Sequence, residues 1–155
     1  ERESNLLDGA AHFYDTYECK DGKFIAVACI EEKFYKEMID KLEIADDRFS
    51  KQFNKDMWSG LKDILREKFL SKNRDEWATI FKDSDACITP ILDLDEAPKH
   101  EHNKSRSTFI ERDGVIQPNP SPRFSKTPLE VKSSPKKIGE DNSFVSEKYN
   151  ISLSD

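Results

Sequence analysis

An α+β domain followed by an extended polar connector is the fold class this sequence predicts, and three observations predict it. Two β-rich runs flank an Asp-Gly pair near the start. Three sets of apolar residues recur at helical spacing in the middle. Five of the seven prolines then crowd between Pro118 and Pro135.

The first run, Phe13 to Cys19, is aromatic and β-branched, and the second, Phe24 to Ile30, is apolar almost throughout. Lys20-Asp21-Gly22-Lys23 joins them. Asp-Gly fits a type I′ turn, in which both central residues take positive φ, so the segment predicts a β-hairpin. A strand as apolar as the second one is expected to be covered on both faces.

Glu31 to Leu42 predicts a helix with Phe34, Tyr35, Met38, Ile39 and Leu42 on one side. Glu31 and Glu32 fall in its first turn, where negative charge suits the helix dipole. Asp56 is the expected cap of a second helix, whose apolar face carries Trp58, Leu61, Ile64, Leu65 and Phe69. Asn73 with Glu76 three residues on has the form of a capping box. It opens a third helix with Trp77, Ile80 and Phe81 on its stripe. Faces of this kind are expected to be core rather than ligand site.

Asp85 to Leu92 reads as a short strand with a proline, Pro90, that keeps it at an edge or ends its pairing. Asp93 or Asp95 is placed to cap a short helix through Ala97. Thr108–Arg112 and Val115–Gln117 flank a second Asp-Gly pair, Asp113-Gly114, and predict a second hairpin. Beyond it Ser, Lys and Pro dominate, the composition of a connector. The expected organisation is a leading linker over 1–12, a small α+β domain over 13–117 and a Pro-rich connector over 118–155.

The chain has 155 residues and a net charge of −6, with 36% charged and 35% hydrophobic residues. A core is possible but thin. The negative balance argues against nucleic acid as the main ligand, since such binding rests on many Lys and Arg contacts to phosphate. The densest basic group, Lys132, Lys136 and Lys137, reads as a solvated tail. No run is long enough to span a membrane, and no secretory signal is visible. Cys19, Cys29 and Cys87 are odd in number and lack metal-ligand spacing, so free thiols in a reducing, intracellular setting are expected. In that setting the sequons at Asn103 and Asn150 are chance matches.

Few residues advertise chemistry. There is no phosphate-binding loop, dinucleotide fingerprint or zinc spacing. His100-Glu101-His102 invites a metal reading, but residues two apart do not face each other on a helix. No metal is therefore expected. His12 stands alone before a strand.

Longer matches say more. Asn5-Leu6-Leu7-Asp8-Gly9-Ala10-Ala11-His12-Phe13-Tyr14 resembles the segment Asn-Leu-Leu-Asp-Gly-Gly-Ala-Pro-Phe-Tyr of α-methylacyl-CoA racemases, members of the family III CoA-transferase superfamily. The similarity continues through Asp15–Cys19, Asp21-Gly22, Ile30-Glu31, Phe34-Tyr35 and Asp75-Glu76-Trp77. It is nearly unbroken over Ser84–Leu92 and returns at His102-Asn103-Lys104, Phe109, Pro122–Ser125 and, faintly, Ile138–Asp141. Each block is short; their common order along almost the whole chain makes them specific together.

The resemblance implies that this is the C-terminal half of such an enzyme: the small domain, built of β-hairpins and about three helices, with the segment that returns to a large domain. It implies an interlocked homodimer and a reaction on 2-methylacyl-CoA thioesters. The α-proton is removed and a proton returned to the opposite face through an enolate, with no cofactor beyond the thioester substrate. It implies a mitochondrial or peroxisomal location. The family's principal His and Asp precede the Leu-Leu-Asp-Gly segment, so this chain is expected to be inactive alone. What it would supply is one wall of the acyl pocket, with Tyr14 and Ile30 as substrate-binding residues and Glu31 as the catalytic carboxylate. A CoA-transferase of the same superfamily and a non-catalytic homologue that only binds or dimerises are the competing readings.

Three departures from the family pattern stand out. Gly9-Ala10-Ala11-His12 replaces Gly-Gly-Ala-Pro, and loss of the second glycine is expected to strain a turn needing positive φ. Ala28-Cys29-Ile30-Glu31 replaces Gly-Ala-Ile-Glu. Gly139-Glu140-Asp141-Asn142 replaces an end resembling Gly-Glu-His-Thr.

Overall fold

A computed structural model describes residues 2–152 and divides the chain into two compact units, 1–92 and 93–155. In the first unit, strands β1 (Tyr14–Glu18), β2 (Phe24–Ala28) and β3 (Ile88–Pro90) form an antiparallel sheet in the order β1-β2-β3. Helices α1 (Glu32–Lys41), α2 (Lys55–Phe69) and α3 (Arg74–Phe81) lie between β2 and β3 in the chain, and a 3-10 turn, Asp47–Lys51, precedes α2. The predicted fold class, a mixed α and β small domain, is therefore the one observed.

The β1–β2 register pairs Tyr14 with Ala28 and Glu18 with Phe24. The Asp-Gly turn between them differs from the expected one. Only Gly22 takes positive φ, at 73°. Gly22 N–H donates to Cys19 O at 2.9 Å and Cys19 N–H to Lys23 O at 2.8 Å. This is a three-residue loop, a turn closed by a glycine in the left-handed region, rather than type I′.

The three predicted apolar stripes are the core. Tyr35 and Met38 from α1 with its C-cap Leu42, Trp58, Leu61, Leu65 and Phe69 from α2, and Trp77 and Phe81 from α3 share one buried cluster with Tyr17, Ile25, Val27 and Ile88 of the sheet and with Cys29 just past β2. Phe69 and Trp77 meet edge-on with ring centres 5.4 Å apart, as their quadrupoles favour, while Tyr17 lies tilted against Phe69 and Phe81 against Trp77. Both indole N–H groups find carbonyls: Trp58 donates to Gln52 O and Trp77 to Phe69 O.

Helix boundaries follow capping chemistry. The capping box at Asn73 is present in full, with Asn73 N–H donating to Glu76 at 2.9 Å. The second helix starts two residues earlier than expected. Asn54, not Asp56, is its cap, and its side-chain oxygen accepts from the Asp56 N–H. Asp56 instead adds charge to the first turn. Helix α1 ends in a Schellman motif in which Glu43 N–H bonds Asp40 O and Ile44 N–H bonds Ile39 O. Glu43 holds the left-handed position there, φ 53°.

Two expectations about this unit need correction. The second strand is covered on one face only. Ile25, Val27 and Cys29 are fully buried under the helices, whereas Ala26 and Ala28 on the other face are half-buried and Phe24 is 43% exposed. All three helices are inserted on the same side of the sheet, so its opposite face receives none of them. The expected strain at Ala10 is also absent. Positive φ falls on Gly9, at 91°, and Ala10 is not among the residues with positive φ.

In the second unit Asp93 caps a turn by accepting from the Asp95 and Glu96 N–H groups. A 3-10 turn, Ala97–Lys99, and a short helix α4 (Glu101–Ser105) follow. Strands β4 (Phe109–Arg112) and β5 (Val115–Pro118) form the second hairpin. Asp113 and Gly114 both take positive φ, 50° and 80°, between the paired residues Arg112 and Val115. This turn is the type I′ that Asp-Gly predicts. From Asn119 to Asp141 there is no helix or strand. The chain then forms α5 (Asn142–Tyr149), which the connector reading did not anticipate. α4 and α5 bring the helices to five where about three were expected.

Candidate functional site

The open face of the first sheet carries the residues singled out in the sequence. Tyr14 pairs with Ala28, and the Ala28 N–H donates to Cys87 O at 2.9 Å. Directly opposed residues of an antiparallel pair share a face. Tyr14, Ala28 and Cys87 therefore form one row across the three chain segments. The next row is Thr16, Ala26 and Thr89. Leu7 and Asp8 close one side of this face, leaving a hollow of about 320 Å³ over Tyr14, Thr16, Ala26 and Ala28.

Ile30 and Glu31 leave the sheet beside that row. Ile30 is half-buried and packs on the core. Glu31 is the N-cap of α1 with extended backbone, φ −72° and ψ 142°, and its backbone carbonyl accepts from the Tyr35 N–H. Its side chain makes no capping bond and is exposed. The backbone of Glu31 is thus fixed on both sides, while its carboxylate is committed to no protein donor among the described residues. Glu32 behaves differently. It lines a separate groove of about 970 Å³ between α1 and residues 44–54, with Tyr35, Ile39, Phe49 and Phe53. The two adjacent acids serve different surfaces.

A residue read from sequence only as a free thiol joins the site. Cys87 is half-buried, and its thiol is pushed above its ordinary pKa by burial first and then by the carboxylates of Glu31 and Asp85. Its S–H donates weakly to Asp85 O at 3.9 Å. Asp85 is itself gripped by α1, through an ion pair with Lys33 and through its N–H, which donates to Glu37 at 3.1 Å. These two bonds, one helical turn apart, bring the start of β3 against the start of α1. They place Cys87 near Glu31 although 56 positions separate them in the chain. The sequence signal for Cys87 was its place in the best-matched block, Ser84–Leu92. Cys29, just behind this row, is fully buried and its thiol is pushed up to about 12 by burial. Neither thiol has the electropositive setting of a reactive cysteine.

His12, where the family pattern has proline, is fully buried. The Tyr35 hydroxyl donates to Phe49 O, so it accepts from His12 Nε2–H at 2.8 Å. Nδ1 is then an acceptor with no partner among the described residues. Burial lowers this imidazole to about 4. It is a neutral core residue that ties the N-terminal segment to α1. Lys62 does similar work from α2: nearly buried, it pairs with Asp15 at 2.6 Å and also donates to Gly9 O. His100 is the N-cap of α4 and His102 lies within it, and no metal-binding group is found among the described residues.

The first unit thus presents an open antiparallel sheet face, with the exposed carboxylate of Glu31 at a strand-to-helix junction. The family model for CoA-transferase family III matches residues 1–142, and the chain belongs to that family. It is 40% identical over 128 residues to the human protein named alpha-methylacyl-CoA racemase, covering 82% of this chain and 34% of that protein. To the mouse protein of the same name it is 36% identical over 154 residues, covering 97% of this chain and 40% of that one. The chain thus spans only about a third to two fifths of these relatives. Among solved structures, a CAIB/BAIF family protein from Brucella suis superposes with a TM-score of 0.68 at 23% identity, covering 87% of this chain and 37% of that one. A Mycobacterium tuberculosis protein does so with a TM-score of 0.67 at 15% identity, over 86% and 38%. These two support the fold alone.

Proposed function

We propose that this chain is the small-domain part of an enzyme that epimerises the α-carbon of 2-methylacyl-CoA thioesters. The observation that carries the proposal is the exposed, uncommitted carboxylate of Glu31 at a backbone-fixed junction, in a chain 36–40% identical to proteins named racemase. The reaction needs a base on one face of the α-carbon, an acid on the other, and stabilisation of the enolate oxygen while the proton is away. The base takes the α-proton, the C–H electrons move into the thioester carbonyl, and a proton returns to either face with the thioester bond intact. The base and acid belong to the remainder of the parent protein, with a second subunit completing the assembly. Tyr14 and Ile30 form the near wall of the acyl pocket. Glu31 accepts a hydrogen bond from the catalytic imidazole and steadies it as it becomes imidazolium.

Exchange of the α-proton with deuterated water tests this in the full-length parent. An orienting carboxylate acts mainly in the transition state, so Glu31→Gln is expected to lower turnover at least about tenfold, or ~1.4 kcal/mol, with KM little changed. Glu32→Gln, which alters the other groove, is expected to leave both unchanged. Equal, small effects at the two positions would overturn the role of Glu31. The 155-residue chain alone is expected to show no exchange above a protein-free control.

A second reading has one observation in its favour: a Caenorhabditis elegans protein named as a CaiB/baiF CoA-transferase family member is 35% identical over 119 residues. A transferase would move CoA from a thioester to a free acid. Such transfer in the parent, without α-proton exchange, would select it.

A further inference from the structure

We infer that Gln52 is a positioning residue for Glu31. Its buried amide holds the two carbonyls that precede Glu31 and so fixes the backbone from which that carboxylate projects. The inference deepens the proposed role of Glu31 and rests on that reading for its functional meaning.

The need arises where β2 becomes α1. The ladder pairing ends at Ala28. Cys29 N–H still reaches Phe13 O at 2.9 Å, and Ile30 N–H turns back to Ala28 O at 3.1 Å. The carbonyls of Cys29 and Ile30 lie beyond the ladder, at a place where Cys29 is fully buried. A buried carbonyl without a donor costs roughly 1–3 kcal/mol. Gln52, 8% exposed, answers both: its Nε2 donates to Cys29 O at 3.0 Å and to Ile30 O at 2.9 Å.

Gln52 is anchored in turn. It follows the 3-10 turn Asp47–Lys51, and its own carbonyl accepts from the Trp58 indole N–H at 2.8 Å. The Tyr35 hydroxyl ties the same turn to α1 through Phe49 O. A rigid support therefore reaches from α2 through Gln52 to the peptide units just before Glu31. No sequence motif announces it, because the bonds span 22 and 23 positions.

A glutamine that merely satisfied the core would give the same hydrogen bonds and the same loss of stability on removal. The two roles separate at Cys87. Its thiol has no bond to Gln52, but it feels the Glu31 carboxylate. The other carboxylate facing it, Asp85, is held independently by Lys33, and the Asp85 N–H is held by Glu37. Cys29, the neighbouring thiol, is neutral over the range to be used. Loss of Gln52 should therefore alter Cys87 only through Glu31.

The experiment is alkylation of the whole 155-residue chain by iodoacetamide between about pH 7 and 9, with peptide mapping to separate Cys87 from Cys19 and Cys29. Four proteins form a cycle: wild type, Glu31→Gln, Gln52→Met and the double variant. Removing the Glu31 charge is expected to raise the Cys87 rate about two- to fivefold near neutrality by raising its thiolate fraction. Gln52→Met, similar in volume but without a donor, is expected to shift the pH profile the same way. It should add nothing in the Glu31→Gln background, the signature of two residues acting through one interaction. Gln52→Asn, with its amide one methylene short, runs through the same cycle if the Met variant does not fold. No shift, or an equal shift in both backgrounds, would overturn the inference. The readout is a thiol in this chain and not turnover, so it stands or falls apart from the racemase reading.

Discussion

The two units of this chain solve opposite problems. Residues 1–92 contain every fully buried side chain among the described residues, in a core that runs from Ala11 to Ile88. Residues 93–155 contain none: Val115, Ile116, Phe124, Leu129, Phe144 and Tyr149 are all about half exposed or more, and Ile138 is fully exposed. The first unit has the stripes and caps that let helices pay for their own ordering by burial. The second has comparable local chemistry, with a type I′ hairpin and an eight-residue helix, but no apolar surface that closes on itself. Good local structure is not sufficient for a core. The second unit leaves these apolar side chains largely open to solvent.

The contrast can be broken most directly in the core. Trp77→Ala, which empties a fully enclosed site and orphans Phe69 O, is expected to cost about 3–5 kcal/mol in urea denaturation. Ile138→Ala in the second unit is expected to change stability by less than ~0.5 kcal/mol. A comparable loss at Ile138 would mean that the second unit is integral to the fold of this chain.

Acid should act on the first unit through His12. Its folded pKa of about 4 lies below the ordinary 6.5, so the unfolded chain binds more protons between those values. Stability is then complete above about pH 6.5 and falls as the pH drops towards 4, by about 3 kcal/mol across the window. His12→Phe removes the titration but keeps an aromatic ring. The difference in urea midpoint between pH 7 and 4.5 should shrink in that variant. An unchanged difference would assign the acid loss to other groups.

The smallest expected effect compares the two helix ends that use a left-handed residue. Glu43 ends α1 at φ 53° and Asn150 ends α5 at φ 50°. Asparagine adopts that region at lower cost than glutamate. Glu43→Gly is therefore expected to stabilise by about 0.5–1 kcal/mol, and Asn150→Gly to be nearly neutral, both read as shifts in thermal midpoint. Equal effects would show that backbone strain is not the limiting term at Glu43.

The sequence by itself determined whatever depends on neighbours along the chain. The capping box at Asn73, the first-turn acid Glu32 of α1, the helical stripes and the two hairpins were all legible, because each rests on bonds or periodicities within a few residues, whereas Glu31, expected in the same first turn, is the N-cap. The motif blocks likewise placed the chain in its family and marked Glu31. Only the tertiary structure decided what distant segments do to one another. Two identical Asp-Gly pairs became different turns because the flanking strands pair with different registers, three residues apart at Gly22 and two at Gly114. His12 became a neutral core ring because Tyr35 and Phe49 surround it. Gln52, polar and unremarkable in sequence, lies under the Cys29 and Ile30 carbonyls, and Cys87 lies near Glu31 because Lys33 and Glu37 grip Asp85. Each of these outcomes depends on where a strand ends or a helix starts against a partner tens of residues away, and loop closure over such distances leaves no local signature.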